Sequence, residues 1–370
     1  MKVPFIDLTR EANFLLKDIL IETEKVITSG QYINGPKVKE FEKEFANFCN
    51  VKNAISVGNG SDGLTFIIRA LGIGEGDEII CPANSFIASA WSIVAAGATP
   101  VFCDVEDDFL LSISKIKGLV NSSTKAIMPV HLTGKLCDMQ PLIDFANEKN
   151  IFLIEDAAQA IGASDNRGFK SGCFGNAASF SLHPLKNLSV YGDGGMVTTN
   201  NEDLANKIKL LRNHGLKNRD ECILWGFNSR LDELQACYGL IKLKYIDEWT
   251  ERYIEIATKY SKGLNDKVIK PKTNFGYKDV FHNYIIQVQS ECRDSFMSDL
   301  LDLGVETKIH YPIPLHLQKC ATQLNYSKDD LPNVEKFASS MISLPIYPLL
   351  SEEEIDYVIS AVNLISDRIL

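Results

Sequence analysis

Seven short β-rich runs alternate with helical stretches up to about residue 215, and this alternation limits the fold more than any other feature. The runs are "AISV" from Ala54, "EII" from Glu78, "PVFC" from Pro100, "AIMPV" from Ala126, "IFLI" from Ile151, "AASFS" from Ala177 and "GMVTT" from Gly195. Between them, stretches such as "SDGLTFIIRAL" and "MQPLIDFANEKN" read as helices. Strands separated by helices pair most simply in one direction, with helices covering both faces. The expected fold class is α/β, with a mostly parallel central sheet flanked by helices.

The texture changes at Ser229. Leu231, Leu234, Tyr238, Ile241, Tyr245, Trp249, Tyr253, Ile256 and Tyr260 recur at spacings of three or four, which predicts one long helix ending near Gly263. Alternating residues ("NYIIQVQ"), a Pro-rich bend ("HYPIPLH") and an amphipathic stretch after "LSEEEI" follow. A chain of 370 residues, 45% of them apolar, is long enough for two domains. The expected division is a large α/β domain over 1–245 and a smaller C-terminal α+β domain over 246–370.

Charge narrows the function classes. The formal net charge is −10, and no basic run beyond "KIKLLRNHGLKNR" offers a face to nucleic acid. No apolar run approaches bilayer-spanning length, and polar residues break the opening "MKVPFIDLTREANF", so neither a membrane span nor a secretory signal is expected. Nine cysteines without a C-x-x-C pair fit reduced, mostly buried thiols in the cytoplasm, with no metal site expected.

Three stretches carry chemistry. In "AISVGNGSDGLTFIIRALG" a strand, a glycine turn and a helix follow one another, with Ser61 or Asp62 as the expected N-cap. A helix start of this kind binds phosphate, or it is an ordinary capped turn. Gly58–Gly63 also matches G-x-G-x-x-G, which raises an NAD-dependent enzyme. The acidic residue that motif requires is missing, because Asp77 and Glu78 precede their strand instead of ending it. In "IFLIEDAAQAIGA", Asp156 ends an apolar strand and Gln159 lies three residues on, on the same side if a helix begins there. Its carboxylate either caps or holds a cationic group. In "SLHPLKNLSVYGDGG", Pro184 breaks the strand and Lys186 lies in a tight connection. A crowded lysine there forms Schiff bases; an exposed one is only a loop residue. Together, an anion site, a carboxylate and a lysine at one sheet edge are what pyridoxal 5'-phosphate (PLP) needs.

These motifs, together with "VPFIDL", "SGQYINGPKVKEFEKEFA", "MPVHLTGKLCDM", "GFNSRLDELQAC" and "SLPIYP", resemble the DegT/DnrJ/EryC1/StrS family of PLP-dependent sugar aminotransferases over essentially the whole chain. The resemblance implies the aspartate aminotransferase fold (fold type I), with Lys186 as the cofactor-linked catalytic lysine. It also implies that Asp156 partners the pyridine nitrogen and Gln159 the ring hydroxyl. Ser61, Asp62 and Ser181 match the phosphate site, and Phe86 the aromatic on the ring. Asn228 matches a residue that reaches the neighbouring subunit's phosphate, so a homodimer with shared sites is implied. Tyr32, His183, His310, Tyr311 and His316 fall in segments on the substrate side.

The implied reaction moves an amino group from an amino acid, glutamate expected, to a nucleotide-linked keto-deoxy sugar for surface glycans such as lipopolysaccharide. The wording around "HYPIPLH" leans to a 3-keto-6-deoxyhexose. A 4-keto sugar, as in perosamine-type synthesis, is the alternative, ahead of a non-catalytic PLP-binding regulatory relative. Relatives with histidine at the lysine position are dehydratases, so Lys186 implies transamination. "RNHGLKNRDECILWGFNSRLD" departs from the common pattern near the site entrance.

Overall fold

The computed structural model describes residues 1–273 and 276–369. All seven predicted strands form: β1 (Asn53–Val57), β2 (Glu78–Pro82), β3 (Thr99–Cys103), β4 (Thr124–Ile127), β5 (Phe152–Asp156), β6 (Ala177–Ser181) and β7 (Gly195–Thr199). They build one sheet in the order β1-β7-β6-β5-β4-β2-β3. Pairing is parallel from β3 through β6, in registers such as Ile154 opposite Ala177, and only β7 runs antiparallel to its neighbours. No helix separates β6 from β7, so the chain turns back beside itself instead of crossing over. Residues 182–194, with Lys186, therefore stay at the edge where β6 ends.

The strands are buried along nearly their whole length because helices cover both faces. Phe66, Ile67 and Ile93 pack with Ile79, Ile80, Ile127 and Ile154 in the largest core. Fold type I is the resulting architecture.

The helix expected from Ser229 to Gly263 is two helices, Glu233–Leu243 and Ile246–Gly263. At the break, Lys244 N donates to Ile241 O and Tyr245 N to Lys242 O, a tightened turn that redirects the axis. Periodicity alone hid the break, because the spacing of three or four continues across it. Ile241 packs with Leu15 and Trp249, whereas Tyr253, Ile256 and Tyr260 enter a second core. That core holds β8 (Tyr284–Gln287) and β9 (Met341–Leu344), an antiparallel pair, and helix Glu352–Ile369. Val3 joins it and pairs with Val305, so the N-terminus reaches the second core. The Pro-rich bend returns to the first core, where Leu315 N donates to Ala83 O at 2.8 Å.

Among the described residues, no helix is long and apolar enough to cross a membrane. Five cysteines, Cys49, Cys81, Cys103, Cys137 and Cys237, are buried.

Candidate active site

A cavity of about 620 Å³ opens at the carboxyl ends of β1, β2, β5 and β6. In an open α/β sheet this is where ligands bind, because connecting loops diverge there. Ser61, Asp62, Phe86, Asp156, Gln159, Ser181, His183, Lys186, His310 and Tyr311 all border it.

The turn after β1 starts helix Gly60–Ala70. Its N-cap is Asn59, not Ser61 or Asp62: Asn59 Oδ1 accepts from Asp62 N at 2.8 Å. The helix begins earlier than the sequence suggested, because glycine at position 60 is accommodated in the first turn. Asp62 instead accepts from Asn59 Nδ2 at 3.0 Å and from Ser229 Oγ at 2.6 Å. The first bond of the turn runs from Gly63 N to Asn59 O, which leaves the N–H groups of Gly60 and Ser61 for an anion. Glycine is needed for the close approach. A Cβ on Gly60 would lie 3.1 Å from Ser181 Cα, and one on Gly195 would lie 2.5 Å from the Asn59 carbonyl carbon.

Adjacent acids at the end of β5 face opposite ways, as strand alternation requires. Glu155 turns inward, where His131 Nε2 lies 3.0 Å away and the N–H groups of Gly172, Phe174 and Gly175 donate to it. Asp156 borders the cavity, only 5% exposed. Ser89 Oγ donates to its Oδ2 at 2.6 Å and Ala158 N to its Oδ1 at 3.2 Å. No helix follows Asp156; consecutive turns, with Ala160 N bonded to Ala157 O and Ala163 N to Ala160 O, carry the chain on. These turns still bring Gln159 to the cavity. Its Oε1 accepts from Thr133 N at 2.7 Å, and its Nε2 donates to Tyr311 Oη at 3.1 Å. Phe86 lies 5.7 Å, ring to ring, from Tyr311.

Lys186 N donates to His183 O at 2.8 Å, closing a turn with Pro184 at the position proline favours. His183 Nδ1 accepts from Leu185 N at 3.3 Å, so this histidine helps shape the lysine turn. Burial pushes the Lys186 amine down to about 8, against the opposing pull of Asp156. Among the described residues no carboxylate pairs with it. Burial, then Lys186, also lowers His183, and the same two causes in the same order bring His310 to about 4. His310 Nδ1 lies 2.9 Å from Ser343 Oγ.

Three predicted residues lie elsewhere. His316 is buried, with its Nε2 3.1 Å from Glu335 Oε1, because the bend at Pro314 drives Leu315 and His316 into the interior. Tyr32 is half exposed and donates to Ile27 O at 3.2 Å. Asn228 pairs with Asn213 and borders a separate depression with Gly58, Asn59 and Asp62. Conversely, Ser85, Asp193, His282 and Asn283 line the cavity and Ser89 braces Asp156, although the motifs single out none of them for a role. His282 stands in "FHNYIIQV", where its histidine just before an alternating run was the one available signal.

The model of the DegT/DnrJ/EryC1/StrS aminotransferase family matches residues 15–363. The chain belongs to this family. Within the DegT/DnrJ/EryC1/StrS family, it is 42% identical over 363 residues to dTDP-3-amino-3,6-dideoxy-alpha-D-galactopyranose transaminase of Aneurinibacillus thermoaerophilus, covering 98% of this chain and 99% of that one. It is 40% identical to the pleiotropic regulatory protein of Geobacillus stearothermophilus, covering 98% of each. The crystal structure of S. venezuelae DesV in complex with a ketimine intermediate superimposes with a TM-score of 0.97 at 36% identity, covering both chains fully.

The DegT/DnrJ/EryC1/StrS chain described here is accordingly a PLP-dependent sugar aminotransferase. A matched sugar aminotransferase structure from Streptococcus pneumoniae, 26% identical, is known in PLP and PMP forms. The residues present fit the cofactor. A lysine free of ion pairs, a carboxylate braced by a hydroxyl and a helix start with unused N–H groups surround one cavity.

Proposed function

We propose that the protein transfers the amino group of an amino acid, glutamate, to a nucleotide-linked keto-deoxy sugar, a 3-keto-6-deoxyhexose in preference to a 4-keto sugar. The observation that carries the reading is Lys186, its amine near pH 8 and unpaired, in the same cavity as the hydroxyl-braced carboxylate of Asp156. The 3-keto preference draws support from the relative named for a 3-amino-3,6-dideoxy sugar.

Bound PLP supplies an aldehyde for the amine and an electron sink for the carbanion. In our reading Lys186 holds the cofactor and moves the proton at the reacting carbon. Asp156, oriented by Ser89, would hold the proton on the ring nitrogen. Gln159 meets the ring hydroxyl and Phe86 covers the ring face. The N–H groups near Ser61 and Asp62, together with Ser181, take the phosphate. His183, His310 and Tyr311 border the space left for substrate, whereas His316 has only a structural part.

Asn228 and Tyr32 would serve the site of a second copy. Helix Leu8–Ser29 exposes Phe14, Leu16, Leu20 and Ile21, and Trp225 is 95% exposed, which supports a homodimer. We place the reaction in the cytoplasm, before assembly of a surface glycan. A regulatory role without turnover finds no support in a site that keeps Lys186, Asp156 and Gln159 together.

The test is mass spectrometry on a panel of keto-sugar nucleotides incubated with holoenzyme and glutamate. One member should gain the mass change of C=O replaced by CH–NH2. If glutamate leaves the visible cofactor band intact, the donor assignment fails.

A further inference from the structure

We propose that His282 sets acceptor specificity by accepting, through its Nε2, a hydrogen bond from a hydroxyl of the sugar. The proposal rests on the reading of this cavity as the site of sugar amination.

The carbonyl of Val280 can only accept, and it lies 2.9 Å from the Asn187 side-chain amide. That contact fixes which end of the amide is Nδ2, so Oδ1 is the end 3.0 Å from His282 Nδ1. An amide oxygen can only accept, so Nδ1 of His282 carries the hydrogen. Nε2 is then a bare lone pair. It has no partner among the described residues, and the half-buried ring borders the cavity. Burial, with Lys186 and His310 nearby, holds the ring well below the ordinary imidazole value, so it stays neutral.

Asn283, next in the chain, borders the same cavity at 4% exposure, and its buried Nδ2 has no partner among the described residues. The acceptor at His282 Nε2 suits a hydroxylated ring, whose O–H groups donate. Apart from the reacting amine, the donor amino acid ends in carboxylates, which only accept and give Nε2 nothing. The sugar carries hydroxyls, which donate. The lone pair therefore favours the sugar over the amino acid.

The test uses PLP-loaded holoenzyme. In ¹⁵N NMR at pH 7, the wild-type His282 should show a protonated Nδ1 and an unprotonated Nε2. Bleaching of the visible cofactor band is then followed with glutamate, and with TDP-linked 3-amino-3,6-dideoxyhexoses and GDP-linked 4-amino-4,6-dideoxyhexoses run in reverse. His282→Phe should lower kcat/KM for the reactive amino sugar about tenfold more than for glutamate, the scale of one hydrogen bond. His282→Gln, whose amide oxygen accepts, should recover part of that loss. Equal losses for both partners, no loss for the sugar, or a protonated Nε2 in the wild type would each overturn the proposal. If wild-type enzyme responds to glutamate but to no sugar in the panel, the sugar reading itself fails, and this inference with it.

Discussion

Ser89 Oγ donates to Asp156 Oδ2 at 2.6 Å, and Ser85 Oγ lies 2.7 Å behind Ser89. The hydroxyl holds one carboxylate oxygen and so fixes how the group stands at the cavity. Ser89→Ala should weaken PLP retention about tenfold, since a hydrogen bond to a charged group is worth roughly 1.5–3 kcal/mol. Fluorescence titration of apoprotein with PLP measures this. An unchanged Kd would remove Ser89 from the site.

Among the described residues, Lys186 is the one lysine bordering the cavity. Lys186→Ala should abolish the visible cofactor band and lower transamination by at least about 10²-fold, the lower range for losing a positioned acid–base group. Absorbance spectra and half-reaction rates check both. A variant that keeps the band would move the cofactor link to another lysine.

The amine near pH 8 makes a prediction with a definite sign. Burial lowers the folded-state value below the ordinary 10.5, so the neutral, nucleophilic form dominates above about pH 8. Below pH 8 the neutral fraction falls about tenfold per unit, and reconstitution of apoprotein by PLP should slow in step. Stopped-flow absorbance from pH 6 to 9 should show the rate rise and then level near 8. Levelling only above pH 10 would mean an ordinary, solvated lysine. The same shift makes stability rise with pH between about 8 and 10.5, where the unfolded chain binds the extra proton.

Asn59 caps the helix whose start forms the anion site. Asn59→Ala should cost about 1 kcal/mol of stability by chemical denaturation. It should also raise the Kd for PLP more than it raises the Kd for pyridoxal, which lacks the phosphate. Equal effects on the two ligands would separate the cap from phosphate binding.

His310 and His316 share one motif but different surroundings. His310 borders the cavity, whereas His316 pairs with Glu335 in the interior. His316→Ala should lower the unfolding free energy by about 1–3 kcal/mol, because it removes a buried ring and one of the donors to Glu335, which keeps the N–H of Asp329. Its sugar kcat/KM should change less than that of His310→Ala. Thermal unfolding and steady-state kinetics distinguish the two, and the reverse order would contradict this placement.

Lys186, Asp156 and the "GNGSDG" turn were legible in the sequence because each sits where a strand stops, and stopping is written locally. Pro184 ends one strand, and glycines admit the close turn beside Ser181. The bracing residues were not legible. Ser89 meets Asp156 across 67 positions, and His282 meets Asn187 across 95. Asn59 was overlooked as the cap because Ser61 and Asp62 are equally good capping residues two and three positions on.

By itself, the sequence determined the seven strands, the mostly parallel sheet and the three groups a PLP site needs. Hydrophobic period and turn chemistry act over a few residues and leave a direct trace there. Tertiary structure alone decided that the helix past Ser229 breaks at Lys244, that His316 turns inward while His310 faces the cavity, and that His282 offers a lone pair. Each of these depends on which distant element packs alongside, and local periodicity does not encode that packing.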